Sequence, residues 1–306
     1  MFRGIVLVFL GACSFGVLST FVKLAYKEGF SLGEVTGSQV FFGFVILWLI
    51  VLLRHLMSKK RYASTLKEKL QLAAMGTSTG LVSIFYYKCV QLIPASISIL
   101  LLMQFTWMSL LLESVMKRRL PKLSQVGTVA LVLLGTCLAG RLFSGEVSNF
   151  NVTGIVFGLL AAFSYTIFLT INGSAGNHMH PTTKSALILT GACVLILAVF
   201  PPAFLVNGAL TSGLLKWGLV LALFGTVIPP LFYAYGTPKA GLGISAILSA
   251  AELPVAVLMS SIVLQEEVLA IQWLGVAVIL VAIILSNVGA LRKRNSNKTV
   301  VPEATQ

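Results

Sequence analysis

Long apolar runs separated by short polar stretches recur along the whole chain. Each run is about twice the ~10 residues of a transmembrane strand, and none alternates apolar with polar. A helix crossing the hydrocarbon core needs about 20 mostly apolar residues. Ten windows of that kind fit, at 4–26, 33–53, 70–90, 94–116, 123–142, 153–172, 184–205, 217–236, 241–264 and 271–290. The pattern therefore predicts an all-α polytopic membrane protein with ten transmembrane helices. The first run is too long for a signal-peptide core and has no small-x-small cleavage site followed by a soluble domain, so it counts as a span.

Composition agrees with the pattern. The chain is 57% hydrophobic and 10% charged, against about 25% charged in soluble domains, and its mean hydropathy is +0.96. A net charge of +13 would suit a nucleic-acid partner if it were spread over one face. Instead Arg54, Lys59, Lys60, Arg61, Lys67 and Lys69 fill the second connection, and Lys117, Arg118, Arg119 and Lys122 the fourth. Arg292, Lys293, Arg294 and Lys298 fill the tail, while Glu28, Glu34, Glu146, Glu266 and Glu267 mark the opposite side. That asymmetry puts both termini in the cytoplasm of a multi-pass cell-membrane protein. It leaves the lipid bilayer, rather than nucleic acid, as the charge's partner.

Little of the chain suits a cofactor. Cys13, Cys89, Cys137 and Cys193 lie within or beside apolar spans with no CxxC pairing and read as small reduced hydrophobes. His178 and His180 offer two metal ligands without a third. No GxxxxGK[ST] loop is present for nucleotide phosphates. No metal, cofactor or ATP-driven step is expected.

The chain is also written twice. "GIVLVFLGACSF" (4–15) resembles "GIVFGLLAAFSY" (154–165) at an offset of 150. An offset of 147 pairs Thr79 with Thr226, Phe85-Tyr86 with Phe232-Tyr233, Ile97-Ser98 with Ile244-Ser245, and Gln125 with Gln272. Two five-helix repeats follow, at 1–150 and 151–290, with a basic, disordered cytoplasmic tail at 291–306. Because five is odd, the second repeat is inverted in the membrane, a plan common among secondary transporters.

Polar residues within the spans fall into stripes. Ser245, Ser249, Glu252, Ala256 and Ser260 share one face of the ninth helix, matched by Ser98, Leu102, Phe105, Ser109 and Glu113 on the fourth. Thr79, Ser83 and Tyr86 line up on the third helix, and Thr226, Pro230, Tyr233 and Thr237 on the eighth. Polar groups in lipid need an internal partner or a water-filled cavity, so one shared cavity accounts for all four stripes; helix packing through small residues is the alternative. Glu252 has 11 residues of its span on one side and 12 on the other, or ~17 Å, too deep to snorkel. An acid at that depth is held by protonation, pairing or water, and can pass a proton. Pro254 is expected to break the helix and free the Ala250 carbonyl, which a protonated Glu252 could alternatively satisfy. Glu113 with Lys117 reads as an interfacial ion pair, and Lys23 and Lys88 as snorkelling cations. Pro229-Pro230 marks a kink. Trp48, Trp217 and Trp273 lie near span ends, whereas Trp107 sits mid-span.

These residues resemble the EamA-like branch of the drug/metabolite transporter superfamily. "ISAILSAAELPVAVLMSSIVLQEEVLAIQWLGVAVIL" (244–280) is similar to that family's ninth and tenth helices. There an acid-proline pair, here Glu252 and Pro254, precedes an acidic turn at Glu266 or Glu267 and a Q-x-x-G motif at Gln272 and Gly275. Departures stand out: Trp107 replaces the repeat's proline, Arg119 its acid, and Gln39 the arginine of many members. The resemblance implies ten helices in two repeats and transport of amino acids, drugs, sugar phosphates or other metabolites.

The reading is thus a secondary transporter, an exporter of a small amphipathic metabolite such as an amino acid, working by alternating access with protons as a coupling ion. Its expected substrate site is Thr79, Tyr86, Ser98, Trp107, Thr226, Tyr233, Ser245, Ser249 and Glu252, with Glu252 also the proton-coupling group. A non-transporting membrane subunit and a membrane-embedded enzyme are the alternatives, although the chain contains no Asp and its histidines lie far from Glu252. Nothing in the sequence sets the number of subunits. The topology has a direct check: cysteines introduced at Ser64 or Ser296 should label only from the cytoplasm, and one at Ser148 only from outside. Labelling of Ser64 and Ser148 from one side would overturn the ten-helix assignment.

Overall fold

The computed structural model describes residues 2–57, 64–93, 95–139, 151–265 and 267–298. Glu146, Ser148, Glu266 and the basic residues Lys59, Lys60 and Arg61 lie outside them, as does the Ser260 side chain. The described residues are helical, without strands. The first half contains α1 (Phe2–Lys27), α2 (Leu32–Met57), α3 (Leu66–Leu92), α4 (Ala95–Leu102), α5 (Phe105–Lys117) and α6 (Leu123–Ala139). The second contains α7 (Val152–Ser174), α8 (Pro181–Val199), α9 (Leu215–Leu221), α10 (Ile228–Ala240), α11 (Leu242–Ser249), α12 (Glu252–Val263) and α13 (Ala270–Lys298). Seven helical stretches among the described residues are long and apolar enough to cross a membrane, and Leu123–Ala139 and Ala270–Leu285 are shorter apolar helices. The 27-residue α3 is not among the seven; its middle carries Thr77, Ser78, Thr79 and Ser83.

Packing respects the repeat. The α3–α7 contact has its counterpart in α10–α1, while α2–α8 and α6–α13 pair equivalent helices; α5–α11 joins the second segment of one interrupted span to the first segment of the other. Capping repeats too: Gln125 Oε1 accepts the Lys122 N–H (3.2 Å) at the start of α6, and Gln272 Oε1 the Leu269 N–H (3.0 Å) at the start of α13. Both are 147 positions apart.

Two spans are interrupted: the fourth, expected to be continuous, and the ninth, where a break was expected at Pro254. The fourth breaks between Leu102 and Phe105, and the ninth between Ser249 and Glu252. Three of their backbone bonds match residue for residue, whereas Met103 donates to the Ile99 carbonyl (2.9 Å) and its equivalent Ala250 to that of Ile247 (3.2 Å). Gln104, Thr106 and Met108 donate to the carbonyls of Leu101, Met103 and Gln104 (3.1, 3.1 and 3.3 Å). Ala251, Leu253 and Val255 donate to those of Leu248, Ala250 and Ala251 (3.1, 3.3 and 3.3 Å). The Ala250 carbonyl therefore has a partner, contrary to the sequence expectation. Proline is not the common cause, because Trp107 occupies the equivalent place in the first break. Pro254 falls in the first turn of α12, where a missing N–H costs no intrahelical bond.

The eighth span also departs from a plain kink. A π-helical stretch at Ala222–Val227 joins α9 to α10, and Pro229 and Pro230 sit in the first turn of α10. At the C-terminus α13 runs to Lys298, so the helix continues into the segment expected to be a disordered tail; residues 299–306 lie outside the described ones.

Without a hydrophobic force between helices in lipid, close packing carries association. A Cβ at Gly76 would overlap the Ile188 carbonyl, and one at Gly191 the Ala73 carbonyl, so α3 and α8 cross at backbone contact. Gly191→Ala should lower the melting temperature in detergent by the equivalent of about 1–3 kcal/mol, the usual cost of overpacking. Gly127→Ala, with nothing within 4 Å of its Cβ, should not; equal stability of both variants would disprove the close crossing.

Candidate functional site

Both breaks adjoin a cavity of about 220 Å³ enclosed by helices of both repeats. Its lining on α1 runs from Phe15 to Tyr26, on α3 from Thr79 to Tyr87, and on α8 from Leu189 to Ile196. Those are the later parts of the three helices, while Gln39 and Val40 belong to the early part of α2. The cavity thus extends from the breaks toward the end of the bundle where α1 stops and α2 begins. Helix divergence opens it. Below the breaks α5 and α11 pack together; above them α4 packs on α3, α6 and α7, and α12 on α1, α6 and α13.

The walls are largely apolar and aromatic, with a few inserted polar groups. Thr226 donates to the Ala222 carbonyl (3.0 Å), as a hydroxyl inside a helix commonly does. Four other lining residues carry buried oxygens without a hydrogen-bond partner among the described residues: Tyr26 OH, Gln39 Oε1, Thr79 Oγ1 and Glu252 Oε2. Buried polar atoms in native proteins nearly always have partners, so four exceptions among the lining residues of one cavity set it apart from an ordinary apolar core. The volume leaves room for several waters or a small solute.

Toward the other end the space is filled. Phe105 and Tyr165 pack with centroids 4.4 Å apart and planes tilted by 40°, and Phe168 meets Tyr233 edge-on at 5.5 Å. Ser249 Oγ donates its hydrogen to the Ser245 carbonyl (2.8 Å), so the Tyr233 hydroxyl 2.7 Å away must be the donor to Ser249. Tyr165 OH stands 3.4 Å from Tyr233 OH, completing a chain of hydroxyls.

Of the expected site residues, Thr79, Tyr86, Thr226 and Glu252 line the cavity together. Tyr233, Ser245 and Ser249 are fully buried in the filled end, and Ser98 is buried outside the lining. Trp107 is 40% exposed and donates to Gln104 Oε1 (2.9 Å), away from the cavity. Helical periodicity placed these groups on the right helices but could not tell the open half of the bundle from the closed one. Sequence reasoning missed Tyr26, Tyr87 and Phe168, and read Lys23 as snorkelling although it lines the cavity. Phe15 and Tyr165 were legible as the last residues of the paired first-helix segments.

Other expectations resolve locally. Glu113 pairs with Lys117 and also accepts the Gly243 N–H (2.6 Å) at the start of α11, tying the repeats together. His178 faces Glu68 at 3.7 Å, whereas His180 caps α8 by accepting the Thr182 N–H.

The sequence profile of the EamA-like transporter family matches residues 2–141 and again 152–288, one copy on each half. The chain belongs to the EamA-like transporter family. No curated protein matches it. A solved structure described only as "Crystal structure of protein" matches 92% of this chain and 97% of its own, with a TM-score of 0.71 and 12% identity, a likeness of fold.

In this EamA-like transporter an ionic clasp lies at the end toward which the cavity extends. Glu28 accepts from Lys216 Nζ (2.8 Å) and Trp217 Nε1 (2.7 Å), joining the first connection to the second repeat. The Lys216 bond, then that of Trp217, holds the Glu28 carboxyl below its ordinary value of 4.5. A depressed folded-state value stabilises the protein above the unfolded one, and that contribution vanishes as pH falls through the folded value. Glu28→Gln should therefore melt slightly lower than wild type at pH 7, with the difference shrinking as pH falls below 4.5 and in high salt. A gap that persists in acid would exclude the charge as its source.

Proposed function

We propose that the protein is a secondary transporter that exports a small amphipathic metabolite of the amino-acid class by alternating access. In this reading ten transmembrane helices form two inverted repeats, the termini face the cytoplasm, and the cavity is the substrate site seen from outside. The carrying observation is the cavity between repeats with its four unpartnered buried oxygens on otherwise apolar and aromatic walls. Such walls suit a molecule with an apolar body, and Tyr86 can stack on it. Gln39 Oε1 is an acceptor, Tyr26 and Thr79 can accept or donate, and Glu252 as carboxylate balances a cationic head group.

Glu252 is the coupling group in this proposal. It is the sole acid of the cavity lining, and its depth makes a permanent unpaired charge costly. A proton or a cationic head group neutralises it in turn, so proton movement and substrate movement exclude one another at one site. No acid occupies the equivalent place in the other repeat, which holds Phe105, so a single carboxylate serves both orientations.

Proteoliposomes test this. A gradient of one pH unit drives up to about tenfold accumulation per coupled proton. Glu252→Gln keeps the shape of the neutral acid and should abolish that accumulation while retaining exchange of radiolabelled amino acids across the membrane. A glutamine variant that accumulates solute with the wild-type pH response would remove Glu252 from coupling. Absence of counterflow for every amino acid in the wild type would remove the substrate class.

A further inference from the structure

The cavity lining departs from the duplication at two charged positions. Lys23 on α1 corresponds to Gly173 by the offset of 150, and Glu252 on α12 to Phe105 by the offset of 147. Lys23 is the one base and Glu252 the one acid among the residues of the lining. Each repeat thus contributes one charge, of opposite sign, that its counterpart lacks, and both belong to one space. Packing of the helices does not call for them, because the equivalent positions fold without charge. Lys184, by contrast, serves the frame: its ammonium donates to the Asn172 carbonyl (2.8 Å) and to Asn177 Oδ1 (2.9 Å), and it lies outside the lining.

The backbone sets how far apart the two charges stand. A Cβ at Gly16 would run into the Glu252 carbonyl, so α12 begins against α1 at that level. Lys23 follows Gly16 by two helical turns, so it projects from the same side of α1 about 10.5 Å farther along. Helical side chains lean toward the N-terminus of their helix, which carries the Lys23 ammonium back toward the level of Gly16. A molecule with an ammonium and a carboxylate on one carbon, held by a charge-assisted hydrogen bond at each end, reaches across about 8–9 Å. The two lengths agree.

Charge selects among solutes of that length. An amine matches Glu252 alone and a carboxylate matches Lys23 alone, whereas a zwitterion matches both and brings no net charge into an apolar space. Tyr26, three residues beyond Lys23, also belongs to the lining and has a buried hydroxyl without a partner among the described residues. It can donate to the same carboxylate.

We propose that Lys23 is the carboxylate-binding residue of the cavity and that Lys23 and Glu252 together select zwitterions. This rests on the reading of the cavity as a substrate site. The carboxylate lies toward the end of α1, and the ammonium toward the break that precedes α12. The apolar body of the solute rests on Tyr86, Tyr165 and Phe168. An amine or an acid with the same body binds more weakly.

Calorimetric titration of the purified full-length protein in detergent tests this. The probes are leucine and phenylalanine, the matching amines isoamylamine and phenethylamine, and the matching acids 4-methylpentanoate and 3-phenylpropionate. The wild type should bind at least one amino acid about tenfold or more tightly than its amine and its acid, because each lacks one hydrogen bond to a charged group. Lys23→Gln should lose the preference over the amine and keep that over the acid; Glu252→Gln should do the reverse. Lys23→Arg keeps the charge and should keep both preferences. Lys23→Met, also uncharged, replaces Lys23→Gln should that variant fail to fold.

A lysine that only supports the fold would, on replacement, weaken all probes of one body alike, and that result overturns the subsite. So does a wild type that binds an amine or an acid as tightly as the amino acid, or that binds none of the probes. Counterflow of radiolabelled leucine and phenylalanine in proteoliposomes reports the transport reading separately. Zwitterion preference that disappears in Lys23→Gln, without counterflow in the wild type, leaves the subsite standing and removes transport. Counterflow in the wild type with unchanged selectivity in Lys23→Gln removes the subsite and leaves transport.

Discussion

A backbone amide in an apolar medium has no water to turn to, and each unmet group costs several kcal/mol. The rest of this fold depends on where that constraint is relaxed. Two interruptions, at 103–104 and 250–251, are tolerated because i→i+3 bonds re-form across them and surrounding helices bury them. With the interruptions in place, α5 and α11 stay together while α4 and α12 part. The space between the parted halves is the cavity. Unbroken helices crossing at the same angle would close both ends or open both.

A symmetric backbone carries asymmetric chemistry. Three backbone bonds recur at the breaks of both repeats, yet the residue following the break is Phe105 in one and Glu252 in the other. Phe105 packs tilted against Tyr165 and helps fill one end, whereas Glu252 belongs to the cavity lining. Lys23 and its counterpart Gly173 diverge likewise. Duplication thus supplies the frame, and later divergence assigns one half to sealing and the other to chemistry.

Close packing keeps that frame rigid around the space. The glycine crossing of α3 and α8 and the approach of Gly135 to the Gly275 carbonyl bring backbones into direct contact across the repeat boundary. In lipid such contacts replace the hydrophobic drive that holds soluble helices together. Polar ties reinforce them, through Glu113 to Gly243 and Gln272 to the Ala139 carbonyl (3.1 Å). Each tie links residues far apart in sequence, so none could be inferred from local pattern.

The sequence by itself determined the all-helical, membrane-spanning character, the duplication with its two offsets, and the isolated acid, because apolar length, recurring polar residues and an unscreened charge are local properties. It also brought Thr79, Tyr86, Thr226 and Glu252 to the inner faces of their helices. Tertiary structure alone decided that Tyr233, Ser245 and Ser249 are packed shut while Tyr26, Gln39 and Lys23 line the open space. Periodicity reports a face but not a depth, and which half of a helix meets a neighbour depends on how far that neighbour diverges. The break in the fourth span escaped notice for the same reason: Leu102 to Phe105 carries no Gly or Pro, and only the packing on either side makes an interrupted helix cheaper there than a straight one.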